Sequence, residues 1–347
     1  MHDGLRAALA ASHPAWAETA LQPLPDRGLA HLHVRLAGTG VLARLPKQSQ
    51  LGLAPEANLA HERACFERAA PSGHTPRLLG WFPVSRDLPR GGLLVEEIVG
   101  RPPVLPDDLP SIARALAALH ALPLPPASGR SPLAHVHDPL QDLLAEVTAQ
   151  ARHVPQACLV HSVAAAVEDE LRALRALIQA PDRPTRHLIA FDAHPGNFLL
   201  HADGRAVLVD LEKCRYGYPG LDLAHATLYT STTWDAATQA VLSADDVLAF
   251  HAAWDEAVGP VMAEAARPWH LHLRRAMWLW SITWCCKWRV LSGRPPGGPG
   301  AGEDWSSAHS DDALVAHVRE RVDHYLSPAA VARVRDEFQA LARAWSA

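Results

Sequence analysis

Cysteine is scarce in this chain and poorly placed for structural work. The five residues, Cys65, Cys158, Cys214, Cys285 and Cys286, are odd in number, and the only close pair is adjacent. Neither a disulfide framework nor a Cys-x-x-Cys metal site follows, and a reducing cytoplasm is the expected setting. The histidines show no zinc spacing of the His-Glu-x-x-His kind. Clusters of Lys and Arg are missing too: the net charge is -5 and the basic residues are scattered, which leaves no electrostatic footprint for nucleic acid or an anionic membrane. No apolar run is long enough to span a bilayer, since the most apolar, Ala276 to Cys286, is closed by Arg275 and Lys287. The alanine-rich start, interrupted by His13 and Pro14, is too short and polar for a signal-peptide core. There is no internal repeat. These absences point to a cytoplasmic protein with a small-molecule partner, no nucleic acid and no membrane insertion.

What is present is a 347-residue chain that is 48% hydrophobic, enough for two lobes around a cleft. Ala30 to Leu36 and Gly40 to Leu45 have strand composition around the hairpin signal Ala37-Gly38-Thr39. Glu56 to Ala70 has helical spacing, stopped by Pro71-Ser72-Gly73, and Leu78 to Phe82 and Gly92 to Val99 complete a small sheet. From Gly100-Arg101-Pro102-Pro103 the chain turns helical, with a buried helix expected over Ile112 to Leu122. Short strands return between Arg186 and Asp210 around the turn Ala202-Asp203-Gly204, and helix follows after Asp222. Gly293 to Glu303 is expected to be a loop. The division is residues 1–99 as a nucleotide-binding lobe and 100–347 as a catalytic and acceptor-binding lobe: an α+β, bilobal, protein-kinase-like layout.

The densest chemistry lies in Phe191-Asp192-Ala193-His194-Pro195-Gly196-Asn197 and Val209-Asp210-Leu211-Glu212. Asp192 and Asn197 are five apart, and Asp192 and Asp210 eighteen. Phosphoryl transfer to an alcohol needs a carboxylate to orient the hydroxyl and take its proton, and metal ligands to neutralise the phosphates. Asp192 fits the first role; Asn197 and Asp210 fit the second, implying Mg2+ and ATP. In this order and spacing the set is far more specific than any one of its residues, which alone would pass for a turn or strand end.

Asp192-Ala193-His194-Pro195-Gly196-Asn197 resembles the core of the aminoglycoside phosphotransferase and choline kinase superfamily, usually His-Gly-Asp-x-His-x-x-Asn. Asp210-Leu211-Glu212, with Tyr216 and Gly220-Leu221-Asp222 beyond it, is similar to the choline and ethanolamine kinase branch. The chain departs from the family at Ala190-Phe191, where His-Gly is usual; the resemblance gives that His a bracing role, so its replacement raises a pseudokinase as the rival reading. Leu42-Ala43-Arg44-Leu45-Pro46 resembles the family strand that supplies a cation to the phosphates, with Arg44 preferred over Lys47. Glu62 is expected to fix that cation, with Glu67 as competitor. The phosphate-covering loop falls on Pro25-Asp26-Arg27-Gly28-Leu29-Ala30-His31, with a single glycine. Glu97 and Ile98 fall where the family binds adenine through backbone groups, and the resemblance has Asp222 brace the catalytic loop.

Trp278, Trp280, Trp284 and Trp288 lie within eleven residues, with Met277, Trp280, Trp284 and Trp288 on one helix face. Aromatic faces of this kind hold quaternary ammonium groups, and Met277 to Ile282 resembles the choline kinase helix that lines the choline pocket, matching cleanly at Trp280. Trp284 or Trp278 would complete the cage, and Glu212 would face the ammonium or serve as another metal ligand. The expected activity is transfer of the ATP γ-phosphoryl group to a hydroxyl of an amine-bearing acceptor, choline or ethanolamine before aminoglycoside, thiamine or homoserine.

Overall fold

The computed structural model describes residues 2–26, 28–134, 136–295 and 310–346. Arg27 of the phosphate-loop candidate and positions 296–303 of the expected glycine-proline loop therefore lie outside the described residues. Five strands, β1 (Leu21–Pro23), β2 (His31–Leu36), β3 (Val41–Pro46), β4 (Leu78–Phe82) and β5 (Gly92–Glu96), form an antiparallel sheet in the order β1-β2-β3-β5-β4. The β2–β3 turn is built by Gly38 and Gly40, both at positive φ.

Period-two alternation divides this sheet into two faces. Val34, Leu36, Val41, Ala43 and Leu45 bury against Leu5 and Leu9 of α1 (His2–Ser12). On the opposite face, His31, His33 and Arg44 turn toward α2 (Pro55–Ala69), whose Leu59, Cys65, Phe66 and Ala69 bury with Leu93 and Val95. Strand β5 ends at Glu96, short of the expected Val99. Its partner in β3 is Val41, the first residue after the hairpin turn, so no ladder is left to extend.

The rest of the chain is helical around two short antiparallel strand pairs. The helices are α3 (Leu109–His120), α4 (Pro139–Ala151), α5 (His161–Ile178), α6 (Pro219–Thr227), α7 (Tyr229–Thr232), α8 (Ala244–Val258), α9 (Pro260–Ala266), α10 (His270–Leu291), α11 (Asp312–Tyr325) and α12 (Pro328–Ser346). Strands β6 (His187–Ile189) and β9 (Arg215–Gly217) pair, as do β7 (Phe198–Leu200) and β8 (Ala206–Leu208), the latter joined through Gly204 at φ 84°. Helix α10 is buried on nearly every side and packs on α4, α5 and α6. A helix covered on so many sides takes the centre of the lobe, with its basic side chains such as Arg274 and Arg275 held in ion pairs.

Two histidines in this lobe are buried without hydrogen-bond partners. His251 and His270 have ring centroids 4.3 Å apart, and neither ring nitrogen of either is satisfied. Burial, then Arg267, lowers His270 to about 4, and burial, His270 and Arg274 drive His251 well below its ordinary 6.5. The unfolded chain therefore binds more protons than the fold below about pH 6.5, and stability falls with pH down toward about 4. For His270 alone the loss is about 2–3 kcal/mol. Thermal unfolding between pH 7 and 4.5 should show the decline, and His270→Phe should reduce its slope; an unchanged slope would assign the acid sensitivity to other groups.

Candidate active site

The catalytic-loop candidate follows β6, and its backbone is held from beneath. Asp222, fully buried near the start of α6, accepts the N–H of Ala190 and of Phe191, both at 2.7 Å, and the His120 Nε2–H at 3.0 Å. His120 in turn accepts from the Trp254 indole at 3.1 Å. These bonds hold Phe191 at φ 62°, a left-handed conformation that costs a non-glycine residue about 1–2 kcal/mol. That geometry explains why glycine suits this position. The Phe191 ring is clamped by the Arg215 guanidinium at 3.7 Å and by the edge of Trp280 at 5.2 Å.

Asp192 stands next in the loop. The Asn197 side-chain amide donates to its backbone carbonyl at 2.8 Å, so Asn197 has its Oδ1 to offer a metal. The Asp192 carboxylate pairs with Lys213 Nζ at 2.7 Å, and His225 Nδ1 lies 3.6 Å from its other oxygen. Burial alone would raise this carboxyl, but Lys213, His194 and His225 outweigh it and hold it below the ordinary value, ionised at neutral pH.

Asp210, just past β8, meets Arg44 of β3 at 2.5 Å, an ion pair that joins the sheet to the helical lobe. Arg44 and, next, His31 outweigh burial and keep Asp210 strongly acidic. The expected Arg44–Glu62 pair is not formed, because His31 stands between them. Its Nε2 contacts both Glu62 oxygens at 2.9 and 3.0 Å, and its Nδ1 lies 3.2 Å from the Arg44 guanidinium. Asn58 gives Glu62 a further bond at 2.7 Å. The β2–β3 register makes this arrangement, placing His33 opposite Arg44 and His31 two residues away on the same face.

Glu212 points to the same cluster: its carboxylate is 3.5 Å from His31 Nδ1, and its backbone carbonyl accepts from His61 at 2.8 Å. Burial and neighbouring Asp210 push it up to about 7. The side-chain contact described for its carboxylate is thus with His31 on β2 and not with a ring of the tryptophan helix. His31, Glu62 and Glu212 are close enough to be a metal-ligand group, but both imidazole nitrogens are engaged by Glu62 and by Arg44 and Glu212. Hydrogen bonding accounts for the cluster.

The competing residues go elsewhere. Lys47 pairs with Asp26 at 2.8 Å, and Glu67 lies half exposed beside Arg63. Glu97 pairs through its side chain with Arg35 at 2.5 Å, and its N–H donates to the Gly40 carbonyl; Ile98 follows in the linking segment after β5. Trp280 lies beside Asp192, with Lys213 Nζ 5.4 Å from its ring centroid and its Nε1–H donating to Glu146 at 3.0 Å. Trp284 is separate, set edge-on to Trp234 at 5.7 Å, and Trp278 is buried against Phe338. Trp280 and Trp284 share a helical stripe, but the ring partners described for them differ: Phe191 and His225 for Trp280, Trp234 for Trp284. Lys213, Arg215 and His225 are not identified from sequence as site residues, and His31 is expected only as the end of the phosphate-covering loop, not as the partner of Arg44 and Glu62. Only the alternation His31-Leu32-His33, set against the Arg44 strand, carried a signal for any of them.

Solved structures share this fold across nearly the whole chain. A choline/ethanolamine kinase family protein from Mesorhizobium loti has 18% identity and a TM-score of 0.56, covering 98% of each chain. An ethanolamine kinase from Plasmodium vivax has 13% identity and a TM-score of 0.61, covering 95% of this chain and 87% of its own. A GDP complex of aminoglycoside 2'-phosphotransferase-IIIa has 15% identity and a TM-score of 0.58, covering 93% and 97%. No curated protein matches the sequence. The fold is kinase-like, and among the described residues no helix is long and apolar enough to cross a membrane. The model of the phosphotransferase enzyme family matches residues 27–258, two thirds of the chain, from β2 through the catalytic loop to the end of α8, and it is to this family that the chain belongs.

Proposed function

We propose that the chain is a kinase that moves the γ-phosphoryl group of ATP to a hydroxyl of a small-molecule acceptor. The observation that carries this reading is one connected site: Asn197 donates to the Asp192 carbonyl, its own carbonyl accepts from Val209 next to Asp210, and Arg44 reaches Asp210 from the sheet. Asp192, ionised, would orient the acceptor hydroxyl and take its proton. Asn197 and Asp210 offer oxygen donors, which suit a hard divalent cation such as Mg2+. Magnesium, when bound, supplies charge neutralisation on the phosphates. Arg44 would bind phosphate through its planar fork, steadied by His31 and through it Glu62. The Glu97 carbonyl and the Ile98 backbone would meet the adenine, since the Glu97 N–H is taken by Gly40. The amine-bearing acceptor expected from the tryptophans draws support from the choline and ethanolamine kinases of like fold, but it meets Lys213 already on the Trp280 face.

An ADP-release screen with MgATP over choline, ethanolamine, thiamine, homoserine, aminoglycosides, polyols and hydroxy acids tests the reading. Acceptor-stimulated release is expected. Nucleotide binding with no stimulation by any alcohol would favour a binding module instead. In the same assay Arg44→Ala should raise the KM for ATP about tenfold to a hundredfold, the scale of one or two charge-assisted hydrogen bonds. An unchanged KM would remove Arg44 from phosphate binding.

A further inference from the structure

Lys213 is one of three lysines in the chain, and beyond its pairing with Asp192 no role is assigned to it above. It is 8% exposed, with its ammonium 2.7 Å from Asp192 Oδ2 and 5.4 Å from the centroid of the Trp280 ring. A carboxylate on one side and an indole face on the other is how a pocket holds a cationic ligand. We propose that Lys213 occupies the seat of a substrate ammonium, so that the acceptor is an uncharged, hydroxyl-rich alcohol with no positive charge beside its reacting hydroxyl. This rests on the kinase reading for the word acceptor.

The second carboxylate at the indole is also matched. Glu146 accepts the Trp280 Nε1–H and forms an ion pair with Arg215, whose guanidinium covers Phe191. A cationic acceptor arriving at this indole would meet the Lys213 ammonium and the Arg215 guanidinium, each already paired with a carboxylate there. Hydrogen-bonding capacity without charge lies beside them. His225 Nδ1, buried and without a hydrogen-bond partner, lies 3.6 Å from Asp192 Oδ1, and His194 Nδ1 is likewise unsatisfied. Burial lowers His225 to about 4, so it would meet a hydroxyl as a neutral imidazole, donor or acceptor according to tautomer.

The test is a titration of choline against the full chain, followed by saturation transfer to the choline methyl protons, for wild type, Lys213→Met and Lys213→Met/Trp280→Leu. Methionine keeps the length of the side chain without its charge and frees both Asp192 and the indole. Lys213→Met should bind choline at least about tenfold more tightly than wild type, and the double variant should lose most of the gain. Choline binding by wild type as tight as by Lys213→Met would overturn the assignment. Turnover by wild type supplies a second measure should the variant fail to fold: kcat/KM for polyols should exceed that for choline and ethanolamine at least about tenfold, and a preference for either amine would also overturn it. Transfer to no acceptor at all would sink the kinase reading instead, with the binding comparison still deciding Lys213.

Discussion

Replacing Asp192 with Asn should lower turnover by about 10²- to 10⁴-fold while leaving the KM for ATP nearly unchanged. The split follows from how the loop is held. Asn197 bonds the backbone carbonyl of Asp192, and Asp222 holds the two amides before it, so neither support depends on the Asp192 carboxylate. Phosphate and metal would be held by Arg44, Asp210 and Asn197, none of which bonds that carboxylate. What the substitution removes is the base and the partner of Lys213. An unpaired buried ammonium costs stability, so the melting temperature should fall as well. Steady-state kinetics at saturating ATP, with thermal unfolding measured alongside, separates the two losses. A variant that loses stability and keeps kcat would place the base elsewhere.

The second large effect belongs to a residue that touches no reacting atom. Asp222→Ala should cost about 3–5 kcal/mol, because it leaves the N–H groups of Ala190 and Phe191 and the His120 imidazole without their acceptor in a fully buried site. Those bonds also hold Phe191 in its left-handed conformation, so activity should fall with stability even in molecules that remain folded. Asp222→Asn keeps the volume but offers one acceptor oxygen where three bonds now share two, and should lie between. Chemical denaturation of the three proteins measures the order. An Asp222→Ala midpoint equal to wild type would mean that the loop is held by its flanking packing alone.

Much of this site was legible in sequence because it is local. Asp192, Asn197 and Asp210 are fixed by the short β7–β8 hairpin, whose turn glycine and strand composition are visible in the chain. The β2–β3 hairpin and α2 were legible for the same reason, through period-two and helical spacing. Helix α1 and strand β1 were not expected: α1 is short, and what stabilises it is burial of Leu5 and Leu9 on the sheet, a tertiary contact. The partners of Arg44 were hidden in the same way. Cation and carboxylate were assigned from residue type and element, but His31 enters through strand register, which a single sequence does not disclose. Lys213 is the sharpest case. It follows Glu212 directly, yet the two diverge, Glu212 to His31 of the sheet and Lys213 to Asp192 and Trp280. A stripe of tryptophans on one helix face likewise said nothing about which rings share a cavity.

The most direct measurement is the fate of the γ-phosphoryl group. The full chain, wild type and Asp192→Asn, would be incubated with Mg2+, γ-labelled ATP and a set of alcohols, and each alcohol analysed for label. Label on the hydroxyl of a small acceptor with wild type, and its near absence with Asp192→Asn, is the predicted result. Label found only as free phosphate, or equally on the acceptor with both proteins, would contradict it.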